Sequence, residues 1–92
     1  MAQRFIKDPA DVLDYKFDWS DWLADGETVS TRTVTVETGL AKDSDSITDT
    51  GTSVTVGLSG GTAGNEYDVA CLIATSSSRT VERSITVRVE NL

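Results

Sequence analysis

An all-β sandwich is the fold class this sequence predicts, on three observations. Apolar and polar residues alternate with period two along much of the chain, as half-buried strands require. Turn-forming residues interrupt the alternation at intervals of roughly 10–15 residues. No stretch repeats apolar residues at helical spacing for long enough to make an amphipathic helix.

Met1–Lys7 reads as a short arm with two apolar residues, Phe5 and Ile6, which are either tail residues or a docking plug for a neighbour. Asp8-Pro9 breaks it, because proline holds the residue before it extended. Residues 10–14 then allow a brief helical turn. From Leu13 the alternation begins. Leu13, Tyr15, Phe17 and Trp19 share one face, and Asp14, Lys16, Asp18 and Ser20 share the other. Ser20-Asp21 offers an N-cap, so Trp22-Leu23-Ala24-Asp25-Gly26 reads as a single capped turn ended by glycine. The segment from Leu13 to Gly26 holds both tryptophans, one of two phenylalanines and one of two tyrosines. Aromatic side chains dominate core and interface energetics, so packing is concentrated here.

Residues 27–37 are rich in threonine and valine, which suit a pleated surface. Val29 has the opposite parity to Val34 and Val36, so a bulge near residues 30–33 is needed to return them to one face. Residues 38–51 read as a polar loop, with Leu40 and Ile47 tucked beneath it. Val54, Val56 and Leu58 point inward from the next strand, which ends at the glycine-rich turn SGGTAGN. Tyr67, Val69, Cys71 and Ile73 share the inner face of another strand. After the turn at residues 76–78, Val81, Arg83, Ile85, Val87 and Val89 line the last one. These final two strands form an antiparallel hairpin. The whole reads as a short N-terminal arm, residues 1–12, followed by an immunoglobulin-like antiparallel β-sandwich, residues 13–92. No internal repeat is present.

Composition narrows the function. Eight basic against fifteen acidic residues give a net charge of −7, opposite in sign to a nucleic-acid-binding surface. No apolar run of signal-peptide length opens the chain, and none approaches a membrane span, so the expectation is cytoplasmic synthesis with no membrane contact. The lone Cys71 lies in an apolar run, where cysteine behaves as a small buried hydrophobe rather than as half of a disulfide. A domain this small has a thin core, and partner subunits are a natural source of extra stability.

Catalytic and ligand-binding sets are missing. With no histidine, serine–histidine and cysteine–histidine schemes are excluded, and the carboxylates fall in loops or on the polar faces of strands. The acidic run at Asp43, Asp45 and Asp49 invites a cation but lacks the EF-hand glycine and terminal glutamate, so a solvated loop is expected. Residues 59–64 lack the GK[ST] ending of a phosphate cradle. No enzyme, cofactor or metal is expected. Tyr67 stands where a corner tyrosine would reach upstream backbone, although Cys71 follows four residues later rather than two. Arg79 and Arg88 find acids across the sheet, whereas Arg83 shares the parity of Val81 and Ile85 and either snorkels or reaches a partner. Trp22 is the candidate exposed anchor, since tryptophan is enriched at interface hot spots. The candidate interface residues are therefore Phe5, Ile6, Trp22, Leu23 and Arg83.

Three segments carry a resemblance: DPADVLDYKFDWSDWLADG at residues 8–26, LSGGTAGNEY at residues 58–67 and RTVERSITV at residues 79–87. Together they resemble small tailed-bacteriophage virion proteins of the fibre–tail adaptor or head-decoration type. The resemblance implies an immunoglobulin-like fold and a structural role in a virion. It also implies protein–protein contacts with tail, fibre or capsid subunits in a homo-oligomer or symmetric assembly. A capsid decoration protein and a bacterial adhesion or carbohydrate-binding module are the alternatives, with a small acidic enzyme or inhibitor last.

Overall fold

A computed structural model describes the backbone of residues 2–92 and the side chains from Arg4 onward. Seven strands are present: β1 (Ala2–Lys7), β2 (Leu13–Asp18), β3 (Val29–Val36), β4 (Leu40–Thr48), β5 (Ser53–Gly60), β6 (Glu66–Thr75) and β7 (Thr80–Val89). They form a four-stranded sheet in the order β1-β7-β6-β3 and a three-stranded sheet in the order β2-β5-β4. The two sheets pack into an all-β sandwich around one core. In chain order the strands divide as 3-6-7 and 2-5-4, the C-F-G and B-E-D grouping by which immunoglobulin-type sandwiches are described.

Alternation places the core. Val54, Val56 and Leu58 of β5 lie fully buried against Val69, Cys71, Val87 and Val89 from β6 and β7. Tyr15, Phe17 and Trp19 join them from β2, with Phe17 and Trp19 stacked at 5.8 Å. Leu13, expected inward, is exposed, because it opens an edge strand. The predicted bulge is present: β3 shifts register between Val29 and Thr31, so Val29 is buried and Val34 and Val36 pack against the core.

Two segments differ from expectation. Residues 2–7, read as an arm, form edge strand β1, paired with β7 from Ala2 opposite Ser84 to Lys7 opposite Val89. This pairing is parallel, the exception in an otherwise antiparallel sandwich. Lys7 explains why the strand is held: its ammonium is buried and donates to the carbonyls of Asp8 at 2.9 Å and Gly60 at 2.7 Å. Residues 40–48, read as a polar loop, form edge strand β4. One of its nine residues, Leu40, is buried, and a register shift between Lys42 and Ser44 bulges Asp43 out. A strand with so little buried surface and a bulge shows no clean period in sequence.

Tyr67 closes a corner as predicted. The N–H of Thr62 donates to its hydroxyl at 3.0 Å. Its ring leaves no space for a side chain on Gly39, where an added Cβ would lie 2.8 Å from the ring.

Candidate functional site

The two sheets are tied together differently along their two open sides. On one side, Arg32 of β3 reaches across to Asp45 of β4, donating to the carboxylate at 2.7 Å and to the backbone carbonyl at 3.1 Å. Lys42 holds the second carboxylate oxygen at 2.6 Å. Lys42 first, then Arg32, hold the Asp45 carboxyl below its usual range. Ion pairs close that seam.

On the other side, β1 covers part of the seam. Phe5, half-buried, packs its ring 5.0 Å from that of Tyr15 on β2. Before Ser84, the edge of β7 that faces away from β6 has no strand beside it among the described residues, because the β1 pairing starts there. A groove of about 360 Å³ opens at this place. One wall comes from β2 and the turn after it, through Phe17, Trp19, Asp21 and Trp22, with Lys16 and Asp18 at the rim. Arg83, Ser84 and Ile85 of β7 form the other wall.

Backbone polarity at the groove follows from ladder parity. The Trp19 N–H donates to the Thr52 carbonyl at 3.0 Å, continuing the register that pairs Phe17 with Val54 and Tyr15 with Val56. Hydrogen-bonded pairs alternate in an antiparallel ladder, so the N–H and C=O groups of Lys16 and Asp18 point away from β5 toward the open side. On β7, the Thr75 N–H donates to the Arg79 carbonyl at 2.8 Å, which by the same alternation turns Glu82 outward. Arg83 covers that exposed position by donating to the Glu82 carbonyl at 3.0 Å. It makes no ion pair with a carboxylate among the described residues. Among the described residues the buried Trp19 indole Nε1 has no acceptor.

The turn that carries Trp22 is built by short-range bonds. The Asp18 carboxylate caps it by accepting from the Ser20 N–H at 2.9 Å, so the cap lies two residues before the Ser20-Asp21 pair that the sequence suggested. The N–H groups of Trp22 and Leu23 both reach the Trp19 carbonyl at 2.9 Å. Trp22 is half-buried, with the Arg79 guanidinium 4.0 Å above its ring. That guanidinium is in turn fixed on the buried carboxylate of Glu27, donating through Nε at 2.9 Å and through a second nitrogen. Thr75 donates to the same carboxylate at 2.6 Å and the Ala24 N–H at 2.9 Å. Bonds from Arg79, then Thr75, then Ala24 pull the Glu27 carboxyl down to about 2. Sequence reasoning missed this cluster, since Glu27 and Arg79 lie 52 positions apart and neither carries a local signal.

Of the residues singled out from sequence, Trp22 and Arg83 face each other across the groove. Leu23 is half-buried against the core. Phe5 and Ile6 lie along β1, Phe5 turned to Tyr15 and Ile6 56% exposed. Among the described residues no three His, Cys, Asp or Glu side chains gather as a metal site. No helix among them is long and apolar enough to cross a membrane.

Thus residues 16–19, 21, 22 and 83–85, from two of the segments that carry the resemblance, meet at one groove. A family described as podophage GP4 fiber-tail adaptor protein gp77 matches residues 7–88. The chain belongs to this family. Its role is that of a structural tail adaptor of a phage particle, a family of adaptors and not of enzymes. Among curated proteins, none matches the chain. The groove sets Phe17, Trp22 and Ile85 beside the outward backbone groups of Lys16 and Asp18.

Proposed function

We propose that this chain is a joint in the virion that holds fibre to tail by protein–protein contact, within a symmetric set of copies. The family match over residues 7–88 carries this reading. The geometry supports it: a rigid sandwich with principal extents of 42 × 20 × 20 Å separates its two ends well enough to engage different neighbours. This reading assigns the docking surface to Trp22 and Arg83, which line the groove, together with Phe5 and Ile6 of β1 and Leu23 next to Trp22. The tail reading is favoured over capsid decoration because the family description names fibre and tail.

Copy number and position test it. Cryo-electron microscopy of the particle, with quantitative mass spectrometry, is expected to place tens of copies at the tail. Hundreds on the head would overturn the reading in favour of decoration. Because residues 2–7 are a strand, deleting them confounds folding with docking. Ile6→Glu changes an exposed side chain of that strand instead, and is expected to fold normally while lowering incorporation.

A further inference from the structure

We infer that the groove between β2 and β7 is an acceptor site for one extended segment of another virion protein, which adds to the free edge of β2 and places a carboxylate on Arg83. This rests on the adaptor reading and names how one partner is held.

Two observations converge. First, the outward N–H and C=O groups of Lys16 and Asp18 offer a short run of unpaired edge, and β1 leaves it open. Backbone pairing with an added strand satisfies such groups, while pockets for alternate side chains select the sequence. The groove is that pocket, walled by Phe17, Trp19 and Trp22 on one side and Ile85 on the other. Second, Arg83 enters the groove without a carboxylate partner, in a chain with fifteen acids, and rests on the carbonyl of Glu82. That carbonyl belongs to the uncovered edge of β7. A carboxylate side chain on the inward face of the added strand draws the guanidinium off that neutral carbonyl, because it binds a charged acceptor more strongly.

The occupant is therefore an extended peptide with an apolar residue for the aromatic wall and an acidic residue for Arg83. The outer face of β2 narrows the choice further. Lys16 is already held by Asp49 at 2.9 Å, so Asp18 and Asp14 remain as cross-strand neighbours that favour basic residues on the partner's outer face. A second copy of β2 fits poorly, because opposed copies set Lys16 against Lys16 and Asp14 against Asp18.

The test places a photo-crosslinking residue at Asp21, in the groove wall, in assembled particles, and identifies the crosslinked peptide by mass spectrometry. A single contiguous segment of a tail or fibre protein is expected. A crosslink to another copy of this chain overturns the inference. So does no crosslink at Asp21 when one at Asp43, on the opposite side, succeeds; the adaptor reading survives both results. Absence of the wild-type chain from the tail defeats the adaptor reading itself. In parallel, Lys16→Pro removes an outward N–H without breaking the β2–β5 ladder, and Arg83→Glu reverses the groove charge. Both are expected to lower incorporation by about tenfold or more, with the thermal midpoint of Arg83→Glu unchanged. Lys16→Ala, which keeps the N–H, is expected to incorporate normally. If Lys16→Pro impairs folding, Arg83→Glu alone decides, and normal incorporation of a folded Arg83→Glu chain overturns the inference.

Discussion

Trp19 keeps 2% of its surface exposed and stacks on Phe17, whereas Trp22, three residues on, lies half-buried beneath Arg79. The same indole therefore serves packing at one position and faces the groove at the other. Trp19→Ala removes a buried aromatic from a thin core and is expected to cost about 3–5 kcal/mol, measured by urea denaturation. Trp22→Ala loses partly buried area, so about 2 kcal/mol is expected, leaving a folded chain that incorporates poorly. Glu27 adds a pH signature. Its carboxyl falls from an ordinary value near 4.5 to about 2 in the folded chain, with Arg79 the main cause. A group depressed by folding contributes stability that is present above its unfolded value and lost as pH drops through its folded one. Denaturation followed between pH 6 and 2 is therefore expected to show stability declining from about pH 4.5 downward. Glu27→Gln is expected to be less stable at neutral pH and to decline less steeply over that window.

At the scale of elements, legibility followed burial. Strands β2, β5, β6 and β7 alternate cleanly because each sends one face into the core, and the bulge at residue 30 was readable because Val29 has the wrong parity for a flat strand. Strand β4 was not readable, since an edge strand that buries only Leu40 and bulges at Asp43 has no periodic pattern to show. Strand β1 was missed for another reason: its partner, β7, lies some eighty positions away, and a parallel pairing leaves no local mark. The groove shares that difficulty. Trp22 and Arg83 could each be singled out by residue type and parity, but their meeting required the fold. The turn between β5 and β6 gives this scale its test. Gly61 sits at φ +93°, and an added Cβ would lie 2.6 Å from Cγ2 of the buried Val89. Overpacking and left-handed strain act together, so Gly61→Ala is expected to cost about 2–4 kcal/mol in denaturant titration. Gly64 also has positive φ, but an added Cβ there would meet nothing within 4 Å, so Gly64→Ala is expected to cost only the strain, about 1–2 kcal/mol.

Across the whole molecule, folding and docking have to be told apart, because a phage part that fails to assemble has either unfolded or lost a contact. Cys71 supplies the means. It is fully buried on β6, between β3 and β7, and burial pushes its thiol up to about 12. The thiolate is the reactive form, so the folded chain is expected to resist alkylation at pH 8, with labelling proceeding through the unfolded fraction. Because β6 is paired on both sides, exposing Cys71 requires the four-stranded sheet to come apart rather than an edge to fray. When opening is fast relative to alkylation, the labelling rate follows the unfolding equilibrium. A core loss of about 3–5 kcal/mol, as in Trp19→Ala, then corresponds to labelling faster by roughly a hundredfold to a few thousandfold. Arg83 stands opposite Cys71 in the β6–β7 ladder, but its side chain lines the groove, so Arg83→Glu is expected to label at the wild-type rate. A rate for Arg83→Glu as fast as that of Trp19→Ala would show that the groove arginine holds the sandwich together, and its effect on assembly would then belong to stability.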